Sequence, residues 1–478
     1  MTPTAALPRG PQLPRGPQLP RGPQLPQDPQ LPQLARALDA AAMREAFDSA
    51  LRGQSSGQRV IACRVDRVKY RPRRNCTVSW VLEVQDERGG SPYRQAVAGR
   101  FCAAGEAAPR HARNRARVGR DTRCGKSSLL LPGLELFAWF LPNDPKLAAL
   151  MPLCETMREH GAPLAQAVAA LLGREVPLAG VSAELIQYVP ELRACARFDV
   201  ALRDSPGTRT LFAKIDRDRA GGVTHALMQA LYASPAQAEG RLVTPRPVLW
   251  QATTGMHWQE AVAGEALADL HPRCPPALTA QVGGMLAALH DTPVPVARGV
   301  GDDDLLGRPR ACAALLAAVE PGWAPQLERL LNHLADGADA LRKLPQATLH
   351  GDLHPRNILV HRSRLAFIDL DDAHRGPAVL DLGAWIADAL YRALLAGMPL
   401  APEQAAAAHL LQAYRAASQH PVSGPLLAWA VARALLCERA YRCVANLKPG
   451  RFALVPALLA LAEAVARDGV LDRPLYTT

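Results

Sequence analysis

Between Leu349 and Asp372 the chain reads LHGDLHPRNILV, then HRSRLAF, then IDLDD. Asp352 falls on a tight turn after an apolar strand, and Asn357 follows five residues later. An apolar run, Ile358 to Val360, comes next, and a second one, Leu365 to Ile368, delivers Asp369. That pattern predicts a strand, a turn, a hairpin and a second turn. The two turns would gather a base, an amide and an acid. Magnesium-dependent phosphoryl transfer needs such a set: one group to accept a hydroxyl proton, and oxygen donors to hold the metal on nucleotide phosphates.

The stretch resembles the catalytic region of the aminoglycoside phosphotransferase and choline kinase family, which has a protein-kinase-like fold. His350, Gly351, Asp352, His354 and Asn357 stand in its HGDxHxxN loop, and Ile368-Asp369 in its metal-binding turn. Asp381-Leu382-Gly383 matches the aspartate that opens a helix and braces the loop. The resemblance implies that Asp352 is the catalytic base and that Asn357 and Asp369 hold Mg2+. It also implies that His350, His354 and Asp381 support the loop, and that ATP or GTP is the co-substrate. A reaction type follows, but no acceptor. Asp371 and Asp372 read as exposed turn acids, or as partners for a cationic acceptor such as an aminoglycoside or choline.

The elements that must position these residues begin with a helix-rich background. Hydrophobic residues make up 49% of the 478 and aromatics only 5%, so alanine and leucine supply the apolar count. Such a length allows about three domains. No apolar run reaches the ~18 residues of a membrane span, and the first residues lack the order of a signal peptide. A soluble, cytoplasmic protein without membrane contact is expected. Ten cysteines with no CxxC pair read as reduced thiols. Residues 59–126 hold 17 Lys and Arg against 6 Asp and Glu, an excess equal to the net charge of +11. An anionic partner would therefore meet this segment. Little aromatic interleaving makes nucleic acid a poor candidate.

Residues 1–33 repeat LPRGPQ and are expected to be disordered and polyproline-like. Residues 34–175 read as an α+β module. Its first helix is expected over Leu34–Leu51, with strands at Val60–Val68, Thr77–Val84, Tyr93–Val97 and Leu134–Leu141. Tyr70, Pro72 and Trp80 recur as Tyr188, Pro190 and Phe198 at a fixed offset of 118, which suggests an internal repeat. The module would then be a degenerate copy of a kinase-like small lobe, without the lysine on its third strand. The segment Gly119–Ser127 imitates a P-loop but follows no apolar strand, so it lacks the geometry to bind phosphate.

The small lobe is assigned to 176–262, with strands at Leu185–Tyr188, Ala194–Arg203 and Thr210–Asp216. Lys214, in FAKID, is similar to the family's nucleotide lysine. The turn Pro190–Arg193 has no glycine, so Arg193 would contact phosphate by its side chain. The helix after Lys214 has no glutamate, and Gln229 is the nearest stand-in. Gln259–Val262 would be the hinge that holds adenine. Residues 263–478 form the large lobe, which is helical apart from the catalytic stretch.

The expected fold is therefore α+β: a two-lobed protein-kinase-like fold, with an antiparallel small lobe and a helical large lobe, preceded by the extra module. The expected function is an ATP- or GTP-dependent phosphotransferase acting on the hydroxyl of a small molecule: an aminoglycoside, an amino alcohol or a sugar. The extended N-terminus is similar to maltokinase-like architecture. Two alternatives remain: a nucleotide-binding pseudokinase that acts as a regulatory or interaction protein, and an anion- or nucleic-acid-binding protein organised by 59–126.

Overall fold

The computed structural model describes residues 25–52, 57–203, 205–271, 273–295 and 298–469. Residues 1–24 of the proline-rich repeat lie outside them. Its last turn departs from the expectation of a structureless segment. There LPRGPQ drifts to LPQDPQ, and the new Asp28 accepts hydrogen bonds from Tyr70 Oη and the Arg73 amide, each 2.8 Å away. Leu31 is buried. The drift marks the point where the chain docks.

The expected first helix is two: α1 (Leu34–Leu38) and α2 (Ala40–Arg52). Asp39 separates them because its carboxylate caps the Ala41 and Ala42 amides at 2.9 and 3.1 Å. Met43, Phe47 and Leu51 recur every fourth residue along α2 and are fully buried. Phe47 packs edge-on against Trp80 at 5.3 Å. Burying that ring contributes about 2 kcal/mol.

The module's sheet comprises β1 (Gln58–Arg71), β2 (Asn75–Asp86), β3 (Tyr93–Cys102), β4 (Ser128–Leu131) and β5 (Leu136–Phe140), in the order β1-β2-β3-β5-β4. Helix α3 (Ala107–Asn114) intervenes before β4. Strand β3 runs five residues past the expected Val97, and β4 was not anticipated. Two helices follow, α4 (Leu150–Glu159) and α5 (Ala162–Leu172). The small-lobe sheet comprises β6 (Leu178–Val189), β7 (Arg193–Leu202), β8 (Ser205–Asp216), β9 (Pro247–Gln251) and β10 (Met256–Glu260). Helices α6 (Gly221–Tyr232) and α7 (Pro235–Ala238) lie between β8 and β9.

Its order, β6-β7-β8-β10-β9, repeats that of the first sheet. The first hairpins also share a register. Tyr70 faces Cys76 as Tyr188 faces Ala194, and Val60 faces Val84 as Leu178 faces Leu202. Bulges at Val60/Ala62 and Leu178/Gly180 keep the same 118-residue offset. The packing boundary differs from the expected 175/176. Leu150, Leu153, Leu164 and Val168 share a core with Phe198 and Trp258, so α4 and α5 belong with the second sheet. The first module's core is continuous with that of the large lobe.

The large lobe opens with β11 (Glu265–Ala266), α8 (Leu267–Leu270), α9 (Pro276–His290), α10 (Arg308–Val319) and α11 (Ala324–Arg342). The strands β12 (Gln346–Leu349), β13 (Ile358–His361), β14 (Arg364–Phe367) and β15 (His374–Pro377) come next. The C-terminal half comprises α12 (Val379–Leu395), α13 (Ala401–Ala417), α14 (Gly424–Ala434), α15 (Tyr441–Ala445) and α16 (Val455–Asp468). A wide π-helical turn, Leu435–Ala440, joins α14 to α15. Strand β12 pairs with β15 so that Leu349 faces His374, and β13 pairs with β14 so that Ile358 faces Phe367. The two ladders set the segment 350–357 against the segment 368–373. No helix among the described residues is long and apolar enough to cross a membrane.

Candidate active site

The loop after β12 is fixed from below. Gly351 has φ +81°, and a Cβ there would lie 2.1 Å from the Asp372 carbonyl oxygen. Only glycine permits that approach. The Asp381 carboxylate, in the first turn of α12, accepts the His350 amide at 2.6 Å and the Gly351 amide at 3.1 Å. Burial opposes its charge, but His290, 3.3 Å away, and the His350 contacts hold its carboxyl below the usual range.

His350 is buried, and burial lowers its pKa. Its Nε2 donates to the Ile368 carbonyl at 3.0 Å, which leaves Nδ1 to accept the Asp352 amide at 3.4 Å. One imidazole thus ties the Asp352 turn to the residue that precedes Asp369.

Asp352 lies 3.6 Å from His354 Nε2 and 3.6 Å from a guanidinium nitrogen of Arg442. Burial opposes ionisation, yet those two neighbours keep its carboxyl well below the usual range. Asn357 donates from Nδ2 to the Asp352 carbonyl at 2.9 Å. Its Oδ1 accepts no hydrogen bond among the described residues and is the available donor atom.

Asp369 occupies left-handed backbone, φ +62° and ψ +56°, which turns its carboxylate toward the small lobe. Lys214 Nζ lies 2.8 Å from Asp369 Oδ1 and 3.1 Å from both oxygens of Asp371. Burial opposes ionisation of Asp369, but the ammonium pulls its pKa down to about 2. Burial raises Asp371, against the pull of Lys214. Asp371 is therefore a lysine partner and not the exposed turn acid expected from sequence. Gln229 takes no part in the Lys214 contacts. Asp372 is exposed and lies 3.9 Å from Arg193. The Arg193 Nε is buried without a hydrogen-bond partner among the described residues.

The glycine-free turn is held from outside. The Glu191 amide donates to Asp144 at 2.8 Å, and Tyr188 Oη donates to the same carboxylate at 2.7 Å. Trp139 Nε1 donates to Tyr188 Oη at 3.0 Å. The Glu191 carboxylate pairs with Arg100 of the first module and, at 3.4 Å, with Lys146.

A cavity of about 760 Å3 opens between the lobes, walled by Phe212, Lys214, Val262, Leu359, Asn357 and Asp369. Its size and mixed lining suit a nucleotide. Asp369 and Lys214 line it, and beside them Asp371 faces Lys214, Asp372 faces Arg193 and Asp352 faces Arg442. Asp369 and the Asn357 Oδ1, both in this lining, are hard oxygen donors of the kind a divalent cation takes. Sequence reasoning missed Arg442, Glu191 and the Lys214–Asp371 contact. Arg442 stands 90 residues beyond Asp352 on a helix without a local signature, whereas the spacing of Asp371 from Asp369 was an available signal.

The model described as the phosphotransferase enzyme family matches residues 155–422. The chain belongs to that family, and its class is the small-molecule kinase. No curated protein matches it. Among solved structures it is similar to a thermostable mutant of an aminoglycoside phosphotransferase in ternary complex with ADP and hygromycin B. That match has 15% identity and a TM-score of 0.42, and covers 64% of this chain and 98% of the other. A spectinomycin phosphotransferase in complex with ADP and spectinomycin matches at 13% identity and TM-score 0.42, over 63% and 97% of the two chains. A choline/ethanolamine kinase family protein from Mesorhizobium loti matches at 18% and 0.42, over 65% and 95%.

Proposed function

We propose that this protein is an ATP- or GTP-dependent kinase that moves the γ-phosphate to a hydroxyl of a small molecule. One observation carries the reading: Lys214, Asn357 and Asp369 line one interlobe cavity, and Asn357 is hydrogen-bonded to the carbonyl of Asp352. Asn357 Oδ1 and Asp369 are the residues that would hold magnesium, which neutralises phosphate charge when bound with the nucleotide. Lys214 contacts the phosphates. Asp371 orients it, in the role that a helix glutamate would otherwise fill. Arg193 is a further phosphate contact.

Asp352 accepts a hydrogen bond from the acceptor hydroxyl. As the new oxygen–phosphorus bond forms and the bond to the β-phosphate breaks, the hydroxyl proton passes to the Asp352 carboxylate. A carboxyl held this low is a weak base, which suits a loose transition state in which the proton moves late. His350, His354 and Asp381 position it. The ATP supply makes the cytoplasm the expected compartment.

The N-terminal module is, on this reading, a degenerate copy of the small lobe, supported by the shared strand order and register. A nucleotide-binding pseudokinase is the second reading, favoured by the glycine-free Pro190–Arg193 turn. Asp352→Asn separates them. In the kinase, ATP consumption with pooled hydroxyl acceptors falls by about 100-fold or more, while ADP still raises the melting temperature. In a pseudokinase the wild-type chain consumes no ATP with any acceptor.

A further inference from the structure

Asp352 borders a cavity of about 810 Å3 that shares no lining residue with the interlobe one. Three parts of the chain wall it. Strand β1 of the first module supplies Arg67 and Lys69, the small-lobe turn supplies Arg193, and the end of the large lobe supplies Arg442 and Lys448. Arg67 and Lys69 alternate with the buried Val68 and Tyr70, so strand geometry sends both to the same side.

The charge of this cavity is one-sided. Among the described residues Arg67, Lys69 and Lys448 form no ion pair. The cations near Lys69 are Arg71, Arg217 and Arg100, and the acid near it, Glu191, is paired with Arg100 and Lys146; the cations near Lys448 are Arg451, Arg356 and Arg67. Partial burial and these neighbours hold both ammonium groups below their ordinary range. The acids are engaged: Asp66 lies 3.3 Å from Ser79 Oγ and 3.7 Å from Arg64, and Asp372 faces Arg193. Asp352 also borders a smaller cavity of about 190 Å3, where Glu438 is paired with Arg308 and Arg442, and Asp304 with Arg298. Beyond the carboxylates of the reaction centre a cationic acceptor would find only Asp66, which faces Arg64, and three unpaired cations opposite it.

We propose that the acceptor is an anion: a hydroxyl compound bearing a phosphate or carboxylate group, which Arg67, Lys69 and Lys448 bind while its hydroxyl reaches Asp352. The first module then completes the acceptor site, and its strand β1 selects by charge. This rests on the kinase reading of the interlobe cavity.

The test is calorimetric titration of the full chain, saturated with ADP and magnesium. Ribose 5-phosphate and gluconate serve as the two anion arms, and kanamycin and choline as the cation arms. At least one anion should bind, more weakly as salt rises, while neither cation binds. Lys69→Ala and Lys448→Ala should each weaken the anion about tenfold and leave ADP binding unchanged. The two anion arms distinguish phosphate from carboxylate recognition. Binding of a cation in preference, tightened by Lys69→Glu, would overturn the proposal. So would anion binding indifferent to both substitutions, or no binding in either anion arm. Failure of ADP itself to bind would instead remove the kinase reading, and this proposal with it.

Discussion

Arg100 and Lys214 occupy the same register position in two sheets of identical strand order. Arg100 faces Thr77 across β2 and β3, Lys214 faces Cys195 across β7 and β8, and Thr77 and Cys195 keep the 118-residue offset. Lys214 turns toward Asp369 and Asp371, whereas Arg100 reaches out of its own sheet to Glu191. In the first module the cation at this position holds the turn of the second. That turn is closed by its own backbone, with the Leu192 amide donating to the Val189 carbonyl at 3.0 Å, and is braced by side chains from outside instead of by glycine.

Arg100→Ala should therefore loosen the Pro190–Arg193 turn from a distance. The pair is largely buried, with side-chain exposures of 13% and 11%, and losing one partner strands the Glu191 charge beside Lys146 alone. A loss of about 2 kcal/mol is expected, read by denaturant unfolding, together with a higher KM for the nucleotide. An unchanged KM would show that the turn does not touch phosphate.

Asp371→Asn should raise the nucleotide KM or lower kcat by about tenfold, from the loss of a charge-assisted contact to Lys214. Gln229→Ala should change neither. Steady-state kinetics on both variants decides between the acid two residues after Asp369 and the helix amide as the lysine's partner. Equal effects would defeat the assignment.

The catalytic stretch was legible because its chemistry, apolar runs and turns lie within 24 consecutive residues, Leu349 to Asp372. Periodicity of two and the glycine at position 351 then suffice to place Asp352, Asn357 and Asp369 on facing turns. The hairpin repeat was legible for the same local reason. What escaped was set by tertiary contact. Nothing near Asp371 marks it as a lysine partner, and nothing near Arg442 marks it as a neighbour of Asp352. Strand β4 is four residues long and follows a basic run, so its pattern is too short to read. Asp39 divides the first helix as a cap, although the apolar spacing runs straight through it.

Gly351→Ala should cost more than the ordinary penalty of alanine at positive φ. The new methyl would meet the Asp372 carbonyl at 2.1 Å, a backbone atom that can move only with the 368–373 segment. A loss of at least about 2 kcal/mol is expected, with kcat falling as Asp352 shifts. Thermal unfolding and kinetics at saturating nucleotide check both. Retention of both would mean that the two turns are not locked together.

The acid limb of the rate profile tests the electrostatics of Asp352. Its carboxyl is held well below the ordinary carboxylate range, with burial opposed by His354 and Arg442. With Asp352 as the proposed base the ionised form would be the active one, so activity would be present above the folded pKa and lost as pH falls through it. In the wild-type chain this limb should lie below the ordinary aspartate range, close to or beyond acid unfolding. Arg442→Ala removes one of the two neighbours that hold the carboxyl low and should move the limb upward by about one pH unit. Arg442→Lys keeps the charge and should restore it in part. A purely structural role for Arg442 would lower kcat at every pH and leave the limb where it was. The pH profile of kcat therefore separates the two roles of this arginine, and a limb unmoved by Arg442→Ala would remove it from the electrostatics of Asp352.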